Sequence, residues 1–155
     1  MSKTYIFQND LEEMYGVKPV AELFREPGTN ATSVRLQTCC RVGCRKADAY
    51  LLKAWTEEQI ENLVRTDDAI RSDLCDIIMH EGEKGRPEWR SGTEVTAYEK
   101  AATSALKRLK ELSEAQQRSV GETQGGGVNP HTRAARTGTQ NLIFAPSGGV
   151  PKRGF

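Results

Sequence analysis

The chain has 155 residues, with 22 Lys and Arg against 21 Asp and Glu and a formal net charge of +1. That length holds one ordinary domain, and the near-neutral balance does not fit the dense basic face of a nucleic-acid reader. No run approaches the ~18 apolar residues of a membrane span, and the start MSKTYIFQND lacks the apolar centre of a signal peptide. The expectation is a chain made in the cytosol, with no membrane partner and with its four cysteines reduced.

Asn9-Asp10-Leu11-Glu12 offers an N-cap with Glu three residues on, and Gly16 a C′ residue after Leu11, Met14 and Tyr15. Pro19 suits the first position of a second short helix, Val20 to Arg25, closed by Pro27-Gly28. The longest helix is expected from Ala31 or Thr32 to about Trp55. Leu36, Cys40, Gly43, Ala47, Tyr50, Leu51 and Ala54 make its apolar stripe. The small residues in its middle predict close approach by another helix. Arg35, Arg41, Arg45, Lys46 and Lys53 lie mostly off that stripe.

Thr56-Glu57-Glu58-Gln59 is a second capping box, opening a short helix with Ile60, Leu63 and Val64 inside. Thr66 or Asp67 caps the next, with Ile70, Leu74, Ile77 and Ile78 on its buried face and an end near Gly82. The segment 83–87 reads as a loop. Ser91-Gly92-Thr93-Glu94 then starts the last helix, whose stripe runs through Val95, Tyr98, Ala102, Ala105, Leu106, Leu109 and Leu112 to about Arg118. No segment makes a strand. The fold class expected is all-α, a compact bundle of about four to six helices over residues 1–118 with a long irregular C-terminal arm over 119–155.

The arm differs from the body in composition. It holds eight glycines and three prolines without helical or alternating period, yet carries the apolar island Leu142-Ile143-Phe144-Ala145-Pro146 and ends on Phe155. The body has 18 Lys and Arg against 20 Asp and Glu; the arm has Arg133, Arg136, Lys152 and Arg153 against Glu122. Apolar anchors on a polar, glycine-rich arm predict a segment that orders on another chain. Ordering costs entropy that apolar burial must offset. Leu142, Ile143 and Phe144 are the expected anchors, then Phe155, with Arg133 and Arg136 as charge-paired contacts. Trp55 and Trp89, at element ends, are candidate interface anchors or hinge residues.

Catalytic chemistry finds no frame. Cys39, Cys40, Cys44 and Cys75 with His80 invite a zinc reading, but the first three fall within one helix, where cysteine serves as a small apolar residue. Asp67, Asp68, Asp73, Asp76, Glu81 and Glu83 fall where caps and solvated faces need acids. Gly125-Gly126-Gly127 is followed by no Gly-Lys-Ser/Thr and so is no phosphate loop. The expectation is no enzyme, no metal and no cofactor.

The order of elements resembles the small head–tail connector (neck adaptor) proteins of tailed bacteriophages, the Mu-like family, over about residues 5–115. Asp10-Leu11-x-x-Met14-Tyr15-Gly16 looks like that family's opening turn, and Ala47-Asp48-Ala49-Tyr50-Leu51-Leu52-x-x-Trp55 like its long-helix ending. Arg71 to Ile78 corresponds to the helix that follows, and Glu94-Val95-x-x-Tyr98-Glu99-x-Ala101 with Leu106 to its closing helix. Thr56–Arg65 stands where the family usually has a proline-rich turn, and the arm is longer than many members carry. The resemblance implies a virion protein without chemistry, assembled in the host cytoplasm. It would form a ring of identical subunits, usually twelve, beneath the portal protein, and would receive the next neck or tail-completion protein. DNA would pass through the lumen without sequence-specific binding. The alternative is a small helical DNA-binding or regulatory protein reading through Arg35 to Lys53.

Overall fold

The computed structural model describes residues 3–26, 33–86 and 95–126. Among them are six helices and no strand: α1 Gln8–Tyr15, α2 Val17–Phe24, α3 Ser33–Leu51, α4 Glu57–Thr66, α5 Asp68–Lys84 and α6 Ala97–Gly126. The fold is all-α. Residues up to Glu114 form one unit, and a second begins at Ala115.

Helix ends follow local chemistry, sometimes one step away from the pattern in the sequence. α1 opens after Phe7, two residues earlier than the Asn9 cap implies, because Asp10 Oδ2 reaches back to accept the Phe7 N–H at 2.8 Å. Gly16 has φ +94°, the left-handed side that suits glycine. Its N–H donates to the Glu12 carbonyl at 2.8 Å, closing α1. α2 then starts at once with Val17, which makes Pro19 its third residue rather than its first.

α3 stops at Leu51, four residues before Trp55, since Thr56 must be extended (ψ 165°) to cap α4. That cap is a full capping box. The Thr56 hydroxyl accepts the Gln59 N–H at 3.2 Å while Gln59 Oε1 accepts the Thr56 N–H at 2.9 Å. Asp67 Oδ1 takes the Ala69 and Ile70 N–H groups, at 2.9 and 3.3 Å, to open α5, which runs on to Lys84 rather than stopping near Gly82.

α6 departs most from expectation. The Thr96 hydroxyl accepts the Glu99 N–H at 3.1 Å, so this threonine is the cap. The helix begins at Ala97, leaving Val95 ahead of it and 52% exposed instead of on the stripe. Residues 91–94, where a capping box was expected, lie outside the described residues. Leu112, also expected on the stripe, is 40% exposed, and Ser113 is the buried residue there. The helix continues past Arg118 to Gly126.

The core sits between α3 and α5, with α1, α2 and α4 against α5. Leu36, Cys40, Cys44, Ala47 and Leu51 of α3 are buried with Ile70, Leu74, Ile77 and Ile78 of α5, each large apolar side chain contributing about 1.5–3 kcal/mol. Gly43 lets the helices close up. A Cβ there would intrude on the Ile78 side chain and stand 3.4 Å from its Cα. Gly82 does the same for α2, where a Cβ would lie 2.5 Å from Phe24 Cε1. From α6, Ala102, Ala105 and Leu109 complete the cluster.

Candidate interaction surface

The cysteines pack in and against the apolar core. Cys40, Cys44 and Cys75 are buried and Cys39 partly so, all as free thiols. Burial pushes Cys75 up to about 12, and raises Cys39, Cys40 and Cys44 as well. A thiol kept protonated is a poor nucleophile and a poor ligand. Cys44 instead accepts the Tyr5 N–H on its sulfur at 3.4 Å. His80 lies on α5 with its Nδ1 3.6 Å from Glu83 Oε1. Among the described residues no three His, Cys, Asp or Glu side chains gather as a metal site would need.

The acids expected on solvated faces are mostly held inside the bundle. Asp73 and Glu83 are buried. Arg108 of α6 donates to both Asp73 oxygens, Nε lying 3.0 and 3.3 Å away, and Thr96 donates its hydroxyl to Glu83 at 2.7 Å. Asp76 accepts the Tyr15 hydroxyl. Glu81 receives Lys46 at 2.7 Å and Lys84 at 2.8 Å. Burial pushes its carboxyl up, but those two hydrogen bonds outweigh it and hold the group below its ordinary value. These carboxylates tie helices together.

Residues 3–7 run between α3 and α4. Lys3 pairs with Glu61, and Arg65 donates to Asp10 Oδ1 at 2.9 Å and to the Tyr5 carbonyl. Beneath them the Asp48 carboxylate and the Tyr5 hydroxyl are both buried, and neither closes a hydrogen bond of full geometry. Burial pushes Asp48 up to about 6, with the nearby Tyr5 hydroxyl pulling down and Glu57 pushing up. The same burial raises Tyr5.

What remains outward is a contact surface. Residues 4–8 and α3 border an open groove of about 420 Å³ lined by Ile6, Phe7, Leu36, Cys40 and Arg41. Phe7 is 55% and Val34 66% exposed. Of the five cations on α3 and the turn after it, Arg35 is drawn in to the Gly82 carbonyl, Lys46 to Glu81, and Lys53 over the Tyr50 ring. Arg41 and Arg45, one turn apart and exposed, meet no carboxylate among the described residues. On α4, Glu57, Glu58 and Glu61 are exposed in turn.

Trp55 is half-buried against the core at the α3–α4 turn. Trp89, Arg133, Arg136, Leu142, Ile143, Phe144 and Phe155 lie outside the described residues. The row of basic residues in the sequence does not by itself single out Arg41 and Arg45, which face solvent and meet no acid among the described residues. Their four-residue spacing was the available signal. Comparison with family models, with curated proteins and with solved structures finds no match.

Proposed function

We propose that this chain is a structural head–tail connector of a tailed-phage virion. Copies of it ring the DNA passage beneath the portal protein and present the surface on which the next neck protein assembles. The observation that supports this reading is where the family-like residues fall. Asp10 and Leu11 are buried, and Tyr15 bonds to Asp76 next to the Gly16 turn. Ala47, Asp48 and Leu51 are buried in α3, as are Leu74, Ile77 and Ile78 in α5. Many of the residues that carry the resemblance thus lie in the core, whereas Met14, Leu52 and Val95 are exposed. Asp73, Asp76 and Glu81 join helices, while apolar and charged side chains such as Phe7, Val34, Arg41 and Arg45 are left outward for contacts.

Native mass spectrometry of the full-length chain with the portal assembly of the same phage tests it. The companion chain ends at Gly126, which keeps all six helices. Addition of the full-length chain in ring-sized multiples, with weak addition of the shorter one, is the expected result. Absence of any portal binding by the full-length chain overturns the reading.

A further inference from the structure

The exposed side of α3 forms one stripe, Val34, Thr38, Arg41, Arg45 and Ala49, that runs on to Leu52 just past the helix. Steps of three and four residues put these positions on a single face. The stripe is apolar at its ends, Val34 being 66% and Leu52 45% exposed, and cationic in its middle. Asp48, the acid carried by α3, is buried, so nothing on the helix's own surface offsets Arg41 and Arg45. Glu57 and Glu58 of α4 likewise close no ion pair among the described residues, whereas Glu61 is held by Lys3.

We infer that the Arg41–Arg45 stripe of one copy seats against the Glu57–Glu58 end of α4 on a second copy of this chain. The signs match, Arg41 and Arg45 lie one turn apart on α3 while Glu57 and Glu58 are adjacent in the first turn of α4, and both partners are already present wherever two copies meet. Because the faces are unlike, the contact is directional, and repeating it closes a ring when the rotation allows. A nucleic acid is the poorer occupant: two free cations on a body with 18 Lys and Arg against 20 Asp and Glu fall short of a phosphate-reading face. The inference deepens the connector reading by naming the subunit contact, and rests on it for the biological setting.

The test uses full-length protein and two charge reversals, R41E/R45E and E57K/E58K, followed by sedimentation velocity and native mass spectrometry. The first variant is acidic on both faces and the second basic on both. Each alone should therefore associate roughly tenfold more weakly than the wild type, since like charges now oppose. An equimolar mixture should recover mixed complexes with alternating subunits, and salt should weaken them. A mixture that sediments as the sum of its parts overturns the inference. So does a wild type that binds duplex DNA through Arg41 and Arg45 with self-association unchanged by either reversal. Circular dichroism guards against a folding defect, and a mixture that pairs cannot be explained by one. The outcomes also separate this contact from the broader reading. Portal binding by wild type with no pairing of the mixture sinks only the contact, and pairing without portal binding sinks only the connector.

Discussion

Where α3 meets α5, Gly43 sits on Ile78 and the contact is apolar and close. Where the same helix meets residues 3–7, the Tyr5 N–H reaches the Cys44 sulfur and Tyr5 faces Asp48. Arg65 covers the pair from α4. Both sides exclude water. The first depends on shape, with dispersion and hydrophobic burial acting in all directions. The second depends on donors and acceptors whose charge state changes with pH. The two sides should therefore fail under different perturbations.

The largest effect is expected in the apolar seam. Ile78→Ala leaves a cavity opposite Gly43, where the wild-type residue is fully buried. It should cost about 2–5 kcal/mol by denaturant titration. Gly43→Ala probes the same seam from the other side. Alanine normally favours a helix over glycine, yet here its Cβ meets Ile78. A net loss of about 1–3 kcal/mol is expected, and a net gain would show that the seam yields.

The polar side should respond to pH instead. Asp48 has its folded value raised to about 6 from 3.8. Its carboxyl thus holds a proton in the folded chain at pH values where the unfolded chain has lost it. Its favourable share is complete below about pH 4, is lost as pH rises to about 6, and leaves a penalty of about 2–3 kcal/mol above that. Asp48→Asn should stabilise the chain at pH 7.5 by up to about 2 kcal/mol and flatten this part of the stability–pH curve. An unchanged slope between pH 4 and 6 would assign it to other groups.

Arg65→Met removes a donor from the Tyr5 carbonyl and from the buried Asp10 carboxylate. Since Arg65 is 43% exposed, solvent screening limits the loss to about 1–2 kcal/mol. Hydrogen exchange should show it as faster exchange of amides near residues 5–7 with the α3–α5 seam still protected. The smallest effect is expected from R41E/R45E, which should leave unfolding within about 0.5 kcal/mol of wild type.

The seam was legible in the sequence and the polar side was not, for a physical reason. Small residues at Cys40, Gly43, Cys44 and Ala47 announce a close helix–helix approach. Thr56 and Gln59 spell out their own cap within four residues. Asp73 and Arg108 are 35 residues apart, and Asp10 and Arg65 are 55 apart. Nothing local says that these charges will meet. The same limit explains the start of α6: Thr96 with Glu99 is as good a cap as Ser91 with Glu94, and the Glu83 carboxylate on α5 engages the Thr96 hydroxyl. The far end was missed because the apolar stripe gives out at Leu112 while the helix runs on through Gly121 to Gly126. One helical glycine costs only about 1 kcal/mol, which a long helix already formed can absorb. For the contact surface, α3's row of cations was visible. Which of them are drawn in was decided mainly by Gly82 and Glu81, residues that only the fold brings near, and locally by Tyr50 for Lys53.

The tie from Arg65 to the Tyr5 carbonyl spans 60 residues, and that spacing carries a message about synthesis. At roughly 5–20 residues per second, a ribosome needs about 3–12 s to make the intervening chain. During that interval Tyr5 can reach Cys44 of α3 but lacks the donor that α4 supplies. Residues 3–7 therefore gain their tie to α4 late, and the nascent chain must keep them from unwanted company until α4 emerges.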